Sequence, residues 1–70
     1  MKVSGEKIKE FREGQGLSTA ALAARFDPQV SRQAIEAWEK NGVGAFKTLN
    51  RIAKALGVSP ALLLEAGNGE

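Results

Sequence analysis

Arg32, Gln33, Glu36, Ala37 and Lys40 stand at positions i, i+1, i+4, i+5 and i+8, which gathers them on one side of a helix. Those residue types can read the edges of DNA base pairs. Arginine can donate two hydrogen bonds to guanine, glutamine can pair with adenine in bidentate fashion, glutamate can accept from the cytosine amino group, and the alanine methyl can touch that of thymine. The other side of the same helix carries Ala34, Ile35 and Trp38, the spacing of a buried apolar stripe. Taken alone, the polar stripe is accounted for about equally well as a solvated outer face, with Arg32 and Glu36 as an ordinary i, i+4 ion pair.

Context shifts the balance. Residues Thr19 to Phe26 read as a short helix, Asp27 to Ser31 as a break, and Arg32 to Lys40 as a second helix. A short helix, a tight break and a second helix with a polar outer face is the arrangement that lets the second helix enter a major groove while the first crosses the backbone. Trp38, placed in the inward stripe, is expected in the core and not as a platform for a ligand.

The elements around this pair follow from apolar spacing and from start and stop signals. Five helical segments can be read, and no stretch alternates as a half-buried strand would, so the expected fold is all-α. The first helix opens at Ser4, which can cap free backbone N–H groups, with Val3 and Ile8 as the apolar pair that fixes its start. Ile8 and Phe11 supply its inward face, and Gly14 and Gly16 provide its exit. The same opening recurs in Leu17-Ser18 with Leu22 and in Val30-Ser31 with Ile35. The helix of Thr19 to Phe26 turns Leu22, Ala23 and Phe26 inward. Asn41-Gly42 stops the next helix, and a fourth, from about Ala45 to Leu56, carries Phe46, Leu49, Ile52, Ala53 and Leu56 inward before Gly57. The fifth begins at Ser59-Pro60, where proline costs no internal hydrogen bond, with Val58 and Leu63 as its apolar pair. Residues 1–66 are expected to form the domain and residues 67–70 a frayed tail.

Composition narrows the function by exclusion. A 70-residue chain is expected to form one small domain that buries only about 60% of the surface its unfolded form exposes. It has no cysteine and no histidine, which excludes disulfides, thiol chemistry, zinc fingers and imidazole catalysis. A reducing cytoplasm is the expected compartment, and no window approaches the ~18 apolar residues of a membrane span. Ten basic residues against eight acidic ones give a net charge of +2, a weak argument for a polyanionic partner. The signs do separate along the chain: Glu6, Glu10 and Glu13 fall in the first helix, whereas Arg25, Arg32, Lys40, Lys47 and Arg51 fall in the middle and beyond.

In order and spacing, several stretches resemble one family over nearly the whole chain. They are Ile8 to Glu13 followed by Gly16-Leu17-Ser18, then Leu22-Ala23, then Val30 to Ile35 through Trp38-Glu39, and finally Leu49 with Ala53 to Ser59. Together they resemble the phage repressor and Cro class of helix-turn-helix proteins, the xenobiotic-response-element family. The resemblance implies a compact five-helix, lambda-repressor-like domain that binds double-stranded DNA. It implies base contacts from Arg32, Gln33, Glu36 and Ala37, and backbone contacts from Thr19, Ser31, Lys40, Asn41 and Lys47. It further implies an architectural ion pair between Arg12 and Glu39. Three features depart from the pattern: the turn Asp27-Pro28-Gln29 is two residues longer, Thr19 stands where a glutamine is usual, and the loop Gly42-Val43-Gly44-Ala45 lacks the usual cations.

With so few phosphate contacts, a single protomer would bind weakly, and a homodimer on DNA is expected. Leu62-Leu63-Leu64 lie in succession; Leu63 fits the core, which leaves Leu62 or Leu64 as the candidate subunit contact, or as a scattered surface leucine. The expected function is a Cro-like repressor that occupies an operator, with no cofactor and no small-molecule effector. The alternative is a protein-interaction module such as an antitoxin or a coactivator-like adaptor. An enzyme is the least supported reading, because Glu36 and Glu39 come without a nucleophile, base or metal-ligand set.

Overall fold

The structure, a computed structural model, describes the backbone of residues 3–67 and the side chains of residues 3–64. Five helices follow one another: α1 (Gly5–Gly14), α2 (Thr19–Ala24), α3 (Arg32–Asn41), α4 (Phe46–Leu56) and α5 (Pro60–Gly67). Local chemistry sets most of these boundaries. The Ser4 hydroxyl accepts from the Glu6 N–H at 3.2 Å, Ser18 from Ala21 at 3.0 Å, Ser31 from Ala34 at 3.2 Å and Ser59 from Ala61 at 3.2 Å. Each cap satisfies a donor that the first turn leaves open. α4 starts at Ala45 without a side-chain cap and ends at Gly57, whose φ of 74° is the left-handed conformation that closes a helix cheaply only in glycine.

α1 packs on α3 and α5, α2 on α3, and α4 on α5. Their shared interior holds Val3, Ile8, Leu22, Phe26, Ile35, Val43, Leu49, Ile52, Leu56 and Leu63, with Phe11, Leu17, Val30, Trp38, Val58 and Leu64 packed around it. The apolar residues of all four capping pairs therefore belong to this one cluster, so the devices that start the helices also aim them at the core.

Several details differ from expectation. α2 ends at Ala24 and not at Phe26, because its last turn tightens: the N–H groups of Arg25 and Phe26 bond back three residues, to Leu22 and Ala23. Phe26 is still buried, its ring 5.6 Å from that of Trp38. Gly14 remains inside α1, and the chain turns at Gly16. Phe46 is 55% exposed, not inward. It is the first residue of α4, where a side chain tilts toward the helix start and so points past the end of the packed layer. α5 continues through Gly67, and residues 68–70 of the expected tail lie outside the described residues.

One contact has no periodic signature. Val3 and Val43 form an isolated antiparallel bridge, N–H to O at 2.8 and 3.0 Å, and both side chains are buried. The bridge presses the start of α1 onto the end of α3, so closely that a Cβ at Gly5 would overlap the carbonyl oxygens of Trp38 and Glu39. The partial positive charge of one helix start thereby meets the partial negative charge of another helix end.

Gly5→Ala is expected to lower unfolding stability by about 1–3 kcal/mol through overpacking against backbone that cannot move aside. Gly14→Ala, where nothing lies within 4 Å of the added Cβ, is expected to raise it by about 0.4–1 kcal/mol. Urea denaturation of the two variants beside the parent checks both signs.

Candidate nucleic-acid interface

α3 divides into a face that is held and a face that is open. Ile35 is buried, Trp38 is half-buried against the core, and Ala34 is half-buried. Arg32, Gln33, Glu36, Ala37, Lys40 and Asn41 are all exposed. Among the described residues, none of these polar side chains makes a hydrogen bond or an ion pair within the protein, and the i, i+4 pair of Arg32 with Glu36 is not formed. Their donors and acceptors are therefore available to a ligand at no cost in internal bonds. Ser31 is exposed at the head of α3; its oxygen accepts the Ala34 N–H, which leaves its O–H to donate outward.

The remaining backbone candidates sit at other helix starts. Thr19 is the first residue of α2 and is half-buried, and Lys47 is exposed in the first turn of α4. At the far end of α3, Lys40 and Asn41 share an open recess of about 490 Å3 with Ser4, Glu6, Lys9 and Glu39. Lys9 is a cation that sequence reasoning did not place beside α3. Only the docking of α1 on the end of α3 brings it there, and no local pattern announces that docking.

The end of α3 is held by Arg12. Its Nε donates to Glu39 Oε2 at 2.6 Å, its Nη2 to Glu39 Oε1 at 3.2 Å, and its Nη1 to the Leu17 carbonyl at 2.7 Å. Arg12 is 8% exposed. The hydrogen bond to Glu39 raises the guanidinium pKa above its ordinary value against the opposing effect of burial, with further attraction from the charges of Glu39 and Glu13. One side chain thus ties α1 to the last turn of α3 and to the linker before α2.

The extended turn ahead of α3 is held from the opposite side. Arg51 of α4 donates to the Pro28 carbonyl at 3.1 Å, and its guanidinium lies 5.4 Å from the Phe26 ring centre. Phe26 in turn stacks on Trp38 of α3. The Asp27–Pro28 peptide bond is cis. No local pattern announces this anchor, because Arg51 and Pro28 are far apart in the chain.

Comparison with known proteins agrees with this geometry. Residues 8–63 match the sequence model of a family described as helix-turn-helix. The chain belongs to that helix-turn-helix family. Its general function is that of a DNA-binding regulator of the Cro and lambda-repressor-like kind. No curated protein and no solved structure matches the chain significantly. Within the helix-turn-helix, α2 and α3 are the two named helices, and α3 is the one with the open polar face. Among the described residues, no cluster of His, Cys, Asp or Glu is placed to hold a metal ion, and no helix is long and apolar enough to cross a membrane. Of the two leucines considered for subunit contact, Leu62 is 46% exposed and Leu64 packs against the core.

Arg12→Met is expected to cost about 3–5 kcal/mol, because it strands the Glu39 carboxylate in a half-buried place. The double variant Arg12→Met with Glu39→Leu is expected to recover most of that loss. Chemical denaturation read as a double-mutant cycle checks this, and simple additivity of the two single losses would contradict the coupling.

Proposed function

We propose that the domain is a sequence-specific regulator that reads double-stranded DNA with α3 in the major groove and represses, like Cro, by occupying an operator. The observation that carries this reading is the exposed face of Arg32, Gln33, Glu36 and Ala37, whose polar groups have no internal partner among the described residues. Arg32 and Glu36, one turn apart, are not paired with each other, so the polar groups of both remain open to bases. Arg32 and Gln33 supply bidentate donors to bases, Glu36 an acceptor and Ala37 a methyl contact. Ser31 and Thr19 at two helix starts, Lys40 and Asn41 at the end of α3, and Lys47 at the start of α4 hold the phosphate backbone. A regulator of this kind works in the cytoplasm, on nucleoid DNA, without a small-molecule effector.

Few cations serve the backbone, and each phosphate neutralised steepens the salt dependence by only about 0.9 log units per decade. A dimer doubles the contacts and reads half-sites about 34–36 Å apart. Leu62, exposed on α5, is the proposed subunit contact.

On the preferred duplex, Arg32→Ala or Gln33→Ala is expected to cost about 1–3 kcal/mol and to relax the choice at one or two base pairs. Lys47→Ala is expected to weaken preferred and scrambled duplexes alike. Anisotropy titrations separate the cases, and equal losses on both duplexes for Gln33→Ala would remove it from the base-reading set. Leu62→Glu is expected to convert a complex of two protomers per duplex into one of a single, weaker-binding protomer, as read by sedimentation; an unchanged stoichiometry places the subunit contact elsewhere.

A further inference from the structure

Three cations outside the reading face of α3 converge on one place. Arg25 follows α2, Arg51 and Lys54 lie on α4, and together with Phe26, Asp27 and Ala55 they line a recess of about 60 Å3. Two distant parts of the chain supply the charges, so tertiary packing holds them together against their repulsion. A carboxylate is the usual compensation. Asp27 is the one acidic residue lining the recess, and among the described residues it forms no ion pair with any of the three.

Part of the cluster serves the fold. Arg25 donates to the Ala55 carbonyl and to Gln15 Oε1, each at 3.4 Å, and Arg51 donates to the Pro28 carbonyl. These bonds fix where the two guanidinium groups stand while using only part of their N–H inventory. The Lys54 ammonium has no hydrogen bond or ion pair among the described residues. Attraction to the end of α4 would account for one cation in its last turn. Yet two of its terminal carbonyls already have donors: Ala55 has Arg25, and Leu56 has the Gln15 side chain at 2.7 Å. What remains is two guanidinium groups fixed by these bonds and a lysine without a partner, on residues that line a hollow too small for an organic ligand of drug size. That donor set matches a compact tetrahedral oxyanion.

We propose that Arg25, Arg51 and Lys54 form a binding site for a phosphate group, separate from the base-reading face of α3. The phosphate can belong to the backbone of duplex DNA or to a free phosphate-bearing solute. The DNA source rests on the reading under Proposed function, and it is favoured by the spacing of Lys47, Arg51 and Lys54 at i, i+4 and i+7, which makes the site the far end of a cationic stripe that begins at Lys47. The free-phosphate source does not depend on that reading.

The test has two arms, both on the full chain. In the first, amide NMR spectra are followed during titration with sodium phosphate and, at matched ionic strength, with sodium chloride. The expected result is saturable shifts at residues 25–27 and 51–55 with phosphate alone, abolished in Lys54→Gln while the rest of the spectrum and the melting temperature stay unchanged. In the second, binding to random-sequence duplex DNA is measured against salt. Lys54→Gln lowers the slope by about 0.9 if a DNA phosphate occupies the site, and leaves it unchanged if the occupant is free phosphate. Phosphate shifts indistinguishable from those with chloride, together with an unchanged slope, overturn the proposal. So does saturation of the same residues by an acidic peptide but not by phosphate.

Discussion

A guanidinium group withdrawn from water must find replacements for the hydration it loses, and Arg12 finds them in three places at once. It bonds both oxygens of Glu39 and the carbonyl of Leu17, so α1, the end of α3 and the approach to α2 meet at one side chain. Such a pair adds little net stability over an apolar replacement, but it is costly to break one partner at a time. Its consequence is positional. The last turn of α3 has one place relative to α1, and the Val3–Val43 bridge and the close approach at Gly5 reinforce that place.

The turn ahead of α3 is held by a different device. The turn between Phe26 and Val30 would leave the approach to the helix loose if nothing held it. Arg51 bonds the Pro28 carbonyl and lies over Phe26, which stacks on Trp38. α3 is thus tied to α1 by its last turn, and to α4 through Phe26 on Trp38 and through the turn that precedes it, while its outer face makes no internal bonds among the described residues. Rigid support with unspent hydrogen-bonding groups suits a surface that must meet base edges in a fixed register.

How much of this was legible in the sequence depended on range. The apolar residues flanking each serine cap lie only five apart in the chain, so their chemistry was readable directly and the helix starts followed. The polar and apolar faces of α3 were likewise readable, because helical periodicity separates Ile35 and Trp38 from Arg32, Gln33 and Glu36. Phe46 misled, because its spacing from Leu49 fits the inward stripe while its place at the helix tip carries it outside the packed layer. The Val3–Val43 bridge involves a single residue on each side and leaves no alternation to detect. Lys9 beside Lys40, Arg51 on Pro28 and Gln15 on Leu56 all depend on how helices dock, which periodicity does not specify. The Arg12 and Glu39 pair came into view through family resemblance and not through any local rule.

The unpaired face of α3 is proposed to read base sequence. Selection of bound duplexes from a random-sequence pool by the purified protein at near-physiological salt tests it most directly. A base-reading face enriches an inverted repeat whose half-sites lie about one helical turn apart. A pool that stays random in the presence of folded protein would contradict it.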